Sequence, residues 1–200
     1  MNLLHLRKYL SIFASKMLCR RGFFQGLRLA DGGAEKKIDG MRELIINTCV
    51  KVCGFEEFSA DDRKLINEAR EAATRCYAPY SRFGVGAAVR LQDGRVVTGN
   101  NQENAAYPSG TCAERTTLFW ANAQYPDVPV DTLAIAARSE SGELARPISP
   151  CGACRQVILE VEKRYNRPIR IILFGTDECY LVEDGIRALL PLCFDADFLE

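Results

Sequence analysis

Residues 85–99, VGAAVRLQDGRVVTG, contain the pattern on which the predicted fold rests. Two apolar runs of strand length, 85–91 and 96–99, flank the tetrapeptide Gln92-Asp93-Gly94-Arg95. An Asp-Gly pair between two such runs is a strong hairpin signal, because tight hairpin turns need residues that tolerate a positive φ. The sequence therefore predicts two antiparallel strands joined by a turn at Asp93-Gly94.

Helical and strand patterns alternate on both sides of this hairpin. Residues 61–77 place apolar side chains on one face at helical spacing, follow the candidate caps Ser59 and Asp61, and are ended by Pro79. Further strands are predicted at 132–137, 169–174 and 180–182, and further helices at about 112–124 and 151–165. This order predicts an α/β fold, a three-layer α/β/α sandwich with a mixed five-stranded sheet.

Composition restricts the chemistry more than it restricts the fold. The chain has 200 residues and is 48% hydrophobic, which suits one compact domain with a substantial core. It contains nine cysteines but a single histidine, His5. That imbalance argues against Ser-His-Asp triads, Cys-His dyads, H-E-x-x-H zinc motifs and two-histidine iron sites. Any bound metal is therefore expected to be held by thiolates.

Charge is balanced overall but divided along the chain. Residues 1–40 carry a surplus of five positive charges, and residues 41–200 carry a surplus of five negative charges. An acidic domain has no intrinsic attraction for polyphosphate strands, whose binding rests on lysine and arginine. The main domain is therefore expected to bind a small, uncharged molecule and no nucleic acid.

We expect an N-terminal extension at residues 1–40 and a catalytic domain at residues 41–200. The first thirty residues lack acidic side chains and resemble a presequence, but Arg7-Lys8 interrupts an apolar run that is too short to span a membrane. Three interpretations stay open: a dispensable extension upstream of an internal start at Met41, a disordered or partner-binding tail, and a targeting peptide. We expect no membrane partner. The many cysteines, without a secretory signal, suggest a reducing cytoplasm.

Cysteines open two of the predicted helices. One begins with Thr111-Cys112-Ala113-Glu114-Arg115 and the other with Pro150-Cys151-Gly152-Ala153-Cys154-Arg155. Catalytic zinc has three protein ligands and keeps its fourth position for water, whereas structural zinc has four protein ligands. The partial positive charge of a helix N-terminus also stabilises thiolates. Cys112, Cys151 and Cys154 are therefore predicted to bind one zinc ion per subunit.

Three residues next to these ligands are predicted to serve the metal. Glu114 is too close in sequence to Cys112 to bind the same ion, but it is able to face the bound water and act as general acid and base. Three thiolates give the zinc centre a net negative charge, which hinders ionisation of that water. Arg115 and Arg155 are predicted to offset this charge by donating hydrogen bonds to the sulfurs. The alternative is that both arginines are ordinary surface charges.

Residues from about 61 to 198 resemble the cytidine deaminase family, in its small, three-cysteine, homotetrameric class. Zinc deaminases use three cysteines, or one histidine and two cysteines, with a glutamate that is not a ligand. The resemblance implies a mixed five-stranded sheet between helices and the zinc-dependent hydrolytic deamination of cytidine and deoxycytidine to uridine and deoxyuridine plus ammonia, a step of pyrimidine salvage. It rests on both cysteine segments and on the stretches Tyr77-Ala78-Pro79-Tyr80-Ser81-Arg82-Phe83, Val85-Gly86-Ala87-Ala88, Asn101-Gln102-Glu103-Asn104-Ala105-Ala106-Tyr107 and Leu189-Leu190-Pro191 with Phe194.

The resemblance also implies contacts with a nucleoside. Asn101 and Glu103 would bind the 3′-hydroxyl, which ribose and deoxyribose share. Phe83 would pack against the pyrimidine, and Tyr107 would line the site from its loop. The backbone at Ala113 and the turn at 149–151 would read the edge of the base.

One implied residue acts between subunits. Phe194 resembles an aromatic residue that family tetramers contribute to a neighbouring subunit's site, so the resemblance implies a homotetramer. Gln102 departs from the family pattern, which more usually has an aliphatic residue there.

Taken without the resemblance, several of these residues have ordinary structural explanations. Phe83 and Phe194 are then core aromatics, and Asn101 and Glu103 are polar turn residues. Cys49 and Cys53, four residues apart, fit one face of a helix as packing thiols, with a second metal site as the alternative.

Three other functions compete with cytidine deamination. A nucleoside-antibiotic deaminase of the blasticidin type shares the metal segments, but the N-x-E-N-A-A-Y and A-P-Y-S-x-F stretches favour cytidine. A polynucleotide-editing deaminase shares the chemistry, but the domain is acidic and shows no aromatic and basic groove pattern. A catalytically inactive zinc scaffold has no use for Glu114 beside a three-ligand ion.

Overall fold

The computed structural model describes residues 37–38, 41–42 and 44–199, and the chain divides after Cys49 into two units. In the first unit, strands β1 (Lys37–Ile38) and β2 (Met41–Arg42) pair antiparallel. Apart from β1, the extension predicted at residues 1–40 lies outside the described residues. No helix in the described part of the chain is long and apolar enough to cross a membrane.

The second unit is built on a mixed seven-stranded sheet. Its strands are β3 (Lys51–Cys53), β4 (Gly84–Leu91), β5 (Val96–Asn100), β6 (Val130–Ser139), β7 (Gly142–Glu143), β8 (Arg170–Leu173) and β9 (Cys179–Val182). They run in the order β3-β9-β8-β6-β4-β5, and β7 pairs with β6. The pair β6 and β8 is parallel, and all other pairs in this sheet are antiparallel.

The five predicted strands are all present, and β3 and β7 are additions to the predicted count. Each of the two has only two or three residues, too few for a periodic pattern to be visible in the sequence. Cys53 lies in β3, and Cys49 precedes that strand outside any helix, so the helical face predicted for these two thiols is wrong.

The predicted hairpin forms between β4 and β5. Arg90 pairs with Val96 across the ladder, and Gly94 occupies the turn with φ of +89°. A side chain at this backbone conformation is strained, which explains why glycine follows aspartate there. The hairpin prediction is confirmed.

Helix α1 (Ala60–Thr74) covers one face of the sheet. Ser59 caps it, with its Oγ accepting the N–H of Asp62 at 3.1 Å. The predicted helix extended to residue 77, and that boundary is wrong. The N–H of Tyr77 donates to the carbonyl of Asn101 at 3.1 Å, and the carbonyl of Tyr77 accepts the N–H of Glu103 at 2.8 Å. This pairing with the loop after β5 takes the backbone groups that a longer helix would use.

Helices α2 (Ala113–Gln124) and α3 (Gly152–Tyr165) pack together on the opposite face, which confirms the three-layer α/β/α sandwich. The connection from β6 through α3 to β8 joins two parallel strands, as such a crossover helix does. Helix α3 ends at Asn166 in the left-handed conformation, with φ of 48°. Because α2 and α3 share one layer, the two cysteine-bearing segments at their N-termini meet.

Candidate active site

Three cysteine sulfurs converge where α2 and α3 begin. Cys112 is the N-cap of α2, Cys151 is the N-cap of α3, and Cys154 lies in the first turn of α3. The sulfur of Cys151 lies 3.9 Å from that of Cys112 and 3.4 Å from that of Cys154. Zinc–sulfur bonds of about 2.3 Å in a tetrahedron place the sulfurs about 3.8 Å apart. The cluster therefore fits one zinc ion, and it is the only such group of three among the residues the structure describes.

Arg115 supplies positive charge to this cluster. Its Nη2 lies 3.7 Å from the Cys112 sulfur, while its buried Nε has no hydrogen-bond partner among the described residues. The neighbouring Cys154 thiol and the Arg115 guanidinium lower the pKa of Cys112 to about 5. The proximity of Cys112, together with burial, raises the pKa of Cys154. A thiolate at Cys112 is thus stabilised by its neighbours, as a metal ligand requires.

Glu114 lies beside the cluster in the first turn of α2 and is only 4% exposed. Burial raises the pKa of its carboxyl group, and interaction with Cys112 acts in the same direction. The nearby Cys154 thiol acts in the opposite direction. A buried carboxyl group with a raised pKa is suited to accept and return protons during a reaction.

A cavity of about 490 Å³ lies beside Cys112. Cys112 and Arg115 line it together with Asn101, Glu103 and Tyr107. Its volume lies in the range typical of small-molecule sites, roughly 300 to 1,000 Å³.

The structure gives Asn101 and Glu103 backbone partners. Asn101 accepts the N–H of Val85 at 2.7 Å and donates to the carbonyl of Phe83 at 2.9 Å. Glu103 accepts the N–H groups of Tyr80 at 2.9 Å and Ser81 at 3.2 Å. Hydrogen bonds from Ser81 and Tyr80 lower the pKa of Glu103. Both residues therefore shape the loop between α1 and β4 as well as lining the cavity.

Of the remaining predicted contact residues, Tyr107 lines the cavity, whereas Phe83, Ala113 and Phe194 do not. Tyr107 is 75% exposed and packs edge-to-face on Tyr80, with ring centroids 6.0 Å apart. Ala113 is fully buried as the first residue of α2. Phe83 is half-buried and stands outside the cavity lining. Phe194 is exposed and stacks on Phe198, also away from this chain's own cavity.

Arg155 differs from its predicted role. Its Nε donates to the carbonyl of Pro150 at 2.8 Å, and its Nη1 donates to the carbonyl of Leu189 at 2.6 Å. Two of its N–H donors therefore bind backbone carbonyls, one before α3 in the sequence and one after it. The sequence had predicted hydrogen bonds from Arg155 to the cysteine sulfurs. The physical reason is tertiary: the chain after β9 returns to α3 and presents a carbonyl that the sequence order does not reveal.

Sequence reasoning assigned no role to several residues that line the cavity. Tyr80, Ser81 and Asn104 lay inside the quoted stretches, so their proximity to the functional motifs was an available signal. Thr111 lines the cavity because its backbone pairs with Gln102 in both directions at 2.9 Å. Thr111 directly precedes the ligand Cys112, so its position was also an available signal, whereas its pairing with Gln102 is visible only in the structure.

A three-cysteine cluster, an adjacent buried carboxyl group and a cavity lined by one of the cysteines together define a catalytic rather than a structural zinc site. Residues 59–166 match the family described as the cytidine and deoxycytidylate deaminase zinc-binding region. This chain belongs to that family of zinc-binding deaminases.

Individual relatives agree with the family assignment. A cytidine deaminase from Halalkalibacterium halodurans is 41% identical over 137 residues, which cover 68% of this chain and 96% of that protein. One from Sporosarcina psychrophila is 46% identical over 139 residues, which cover 70% of this chain and 95% of that protein. The crystal structure of cytidine deaminase from Burkholderia pseudomallei superimposes with a TM-score of 0.56 at 38% identity, covering 66% of this chain and 97% of that one.

Proposed function

We propose that this protein catalyses the zinc-dependent hydrolytic deamination of cytidine and deoxycytidine, giving uridine or deoxyuridine and ammonia. The observation that carries the proposal is the position of Glu114, buried against a three-cysteine cluster that fits zinc. A structural zinc site needs four protein ligands and no acid-base group. The similarity to cytidine deaminases over nearly their whole length supports the substrate class.

Cys112, Cys151 and Cys154 would hold the metal. When bound, zinc supplies a Lewis acid that lowers the pKa of a coordinated water from 15.7 towards about 7. Three thiolates oppose that ionisation through their negative charge, and the Arg115 guanidinium beside Cys112 partly offsets it.

Glu114 would move the protons of the reaction. In our proposal its carboxylate accepts a proton from water and delivers it to N3 of the cytosine ring, while the hydroxide that remains adds to C4. Glu114 then takes the proton of the new C4 hydroxyl and gives it to the amino group. The C4–N bond breaks, ammonia leaves, and the C4 carbonyl of the uracil ring forms. Positioned proton transfer of this kind contributes about 10² to 10⁴ in rate.

The substrate contacts are proposed on chemistry and position. Asn101 and Glu103 line the cavity and would bind the 3′-hydroxyl: Asn101 has a second amide hydrogen beyond the one given to Phe83, and Glu103 a second carboxylate oxygen. Tyr107 would cover the sugar side, and Phe83 would reach the pyrimidine. The backbone at Ala113 would read the base edge. Because Asn101 and Glu103 would bind the 3′-hydroxyl, which ribose and deoxyribose share, the enzyme would accept both cytidine and deoxycytidine.

We propose a homotetramer in which Phe194 enters a neighbouring subunit's site. Phe194 and Phe198 form an exposed stacked pair with ring centroids 5.7 Å apart, outside this chain's own cavity. Phe119 and Trp120 on α2 are also more than half exposed. Exposed aromatic side chains of this kind are typical of subunit contacts.

We place the reaction in pyrimidine salvage in the cytoplasm. The reaction class supports that role, and the described cysteines are free thiols, as expected in a reducing compartment.

Glu114→Gln tests the proposal directly. We expect the variant to bind one zinc ion per subunit and to lose at least about a hundredfold in kcat, because the amide cannot accept the proton. The assay is ultraviolet absorbance with cytidine, deoxycytidine and cytidine monophosphate, run alongside zinc quantification. Glu160→Gln, an exposed position on α3, is the matched control and should keep wild-type activity.

Two results would overturn the proposal. One is a Glu114→Gln variant that deaminates at a near wild-type rate, which would remove the carboxylate from the mechanism. The other is zinc-loaded, folded wild-type protein that turns over none of the three substrates, which would favour an inactive scaffold.

A further inference from the structure

The last part of the chain lies along one face of α3. We define residues 186–198 as the C-terminal segment. Near the end of α3, the Nζ of Lys163 lies 2.7 Å from the carboxylate of Asp197. Near its beginning, the Nε2 of Gln156 donates to the carbonyl of Phe194 at 2.9 Å. Positions seven residues apart lie on the same side of a helix, so these contacts hold the segment along α3 over two turns.

The path of this segment is defined at several points. The carboxylate of Asp195 is 3% exposed and pairs with Arg187 and with Lys163. Leu192 has φ of 53°, a left-handed conformation that is uncommon for a residue with a branched side chain. Phe194 therefore has a defined place relative to α3.

Arg155 joins this segment to the metal site. Its Nε donates to the carbonyl of Pro150, directly before the ligand Cys151, and its Nη1 donates to the carbonyl of Leu189 in the C-terminal segment. The side chain is partly buried between the two. A guanidinium group presents several N–H donors in a rigid planar fork, so one side chain is able to hold two carbonyls at a fixed separation.

We propose that Arg155 is a positioning residue that holds the turn at 149–151 and the C-terminal segment in one frame. The turn carries the ligand Cys151, and the segment carries Phe194. The effect of Arg155 on substrate binding rests on the proposed function. There, the turn at 149–151 would read the edge of the base, and Phe194 would enter a neighbouring subunit's site. This positioning role differs from a role in tuning the thiolates, for which positive charge alone would suffice.

Two substitutions separate the positioning role from a charge effect. Arg155→Lys keeps the charge but replaces the fork with a single ammonium group, and Arg155→Gln removes the charge as well. We expect both variants to retain one zinc ion per subunit and to show a similar rise in KM for cytidine, about tenfold, with a smaller change in kcat. Arg164→Lys and Arg164→Gln are the matched controls, because Arg164 also donates from α3 to a backbone carbonyl, that of Pro126, and is exposed.

Hydrogen exchange of the zinc-loaded protein provides a readout that does not depend on turnover. Peptides covering residues 186–199 should exchange faster in both Arg155 variants than in wild type and in the Arg164 variants. Faster exchange together with a wild-type protein that deaminates nothing would leave the positioning of the segment supported while the proposed function fails.

Other outcomes would overturn the inference. If Arg155→Lys matched wild type in KM and exchange while Arg155→Gln was impaired, charge and not geometry would be what Arg155 supplies. If both variants kept wild-type KM and exchange, Arg155 would position nothing. If both Arg155 variants fail to fold, Gln156→Ala is the substitute variant, because it removes only the hydrogen bond to the Phe194 carbonyl. Faster hydrogen exchange of the C-terminal segment together with a raised KM would support the coupling between this segment and the site. Unchanged exchange and KM would refute that coupling.

Discussion

Glu162 provides a quantitative test of the structure through the pH dependence of stability. Its Oε1 accepts the N–H groups of Ile169 and Ile186, both at 2.9 Å, and so joins the end of α3 to β8 and to the C-terminal segment. Burial raises the pKa of this carboxyl group from 4.5 to about 7, although both hydrogen bonds and the charge of Arg187 act in the opposite direction. The folded protein therefore holds a proton on Glu162 more tightly than the unfolded chain does.

The sign of the effect follows from this difference. Between pH 4.5 and pH 7 the folded state binds more protons than the unfolded state, so the free energy of unfolding falls as pH rises. One pKa unit corresponds to about 1.4 kcal/mol, so Glu162 is expected to cost about 2 to 3 kcal/mol of stability between pH 5 and pH 8. In Glu162→Gln the amide oxygen still accepts both N–H groups, but no charge forms in the buried site. The variant should therefore gain stability relative to wild type by that amount over this interval.

The measurement is urea unfolding of wild type and Glu162→Gln at several pH values from 5 to 8, with saturating zinc throughout. Contributions from the thiolates and from the metal are common to both proteins and cancel in the difference. Glu160→Gln, exposed on the same helix, makes the same change of charge and is the matched control. Parallel stability curves for Glu162→Gln and wild type would show that Glu162 ionises as it does in the unfolded chain, and the reasoning from burial would fail.

Two further predictions concern the frame of the site. Gly86→Ala should lower the free energy of unfolding, measured in urea, by about 1 to 3 kcal/mol, because the added Cβ would lie 2.1 Å from the carbonyl oxygen of Ala69 in α1. Gly54→Ala is the control, since its Cβ would lie 3.5 Å from the nearest atom. Equal free energies of unfolding for the two variants would contradict the close packing at Gly86. Asn101→Asp should raise KM, because a carboxylate accepts the Val85 N–H but repels the Phe83 carbonyl. An equal loss with cytidine and with 2′,3′-dideoxycytidine would assign the effect to the loop, whereas a loss confined to cytidine would assign it to the 3′-hydroxyl.

Local sequence patterns predicted the fold well where a structural element depends only on residues close together in the sequence. The Asp93-Gly94 turn, the Ser59 cap and the helix starts at Cys112 and Cys151 depend on backbone conformation and hydrogen bonds within a few residues. Such features leave a readable signature because the residues that form them are adjacent in sequence. The end of α1 was predicted three residues too late, because Tyr77 pairs with residues 101–103 and that competition is not local.

Partners of polar side chains were harder to predict. Arg155 lies next to a metal ligand in sequence, yet its donors reach Pro150 and Leu189. Asn101 has the residue type expected for a sugar contact, yet its amide is also engaged with the loop carrying Phe83. A hydrogen bond requires atoms about 3 Å apart, and residue type does not say which distant segment comes that close.

The sequence by itself indicated the chemistry: with one histidine and nine cysteines, residue type and short spacing predicted a thiolate zinc site, and the resemblance to zinc deaminases indicated Glu114 as the acid-base group beside it. Only the tertiary structure decided how that chemistry is assembled. Cys112 meets Cys151 and Cys154 because α2 and α3 pack in one layer, and α3 also receives the C-terminal segment. The physical reason is that ligand identity is a property of single residues, whereas the distances that turn ligands into a site are set by how the whole sheet buries its two faces.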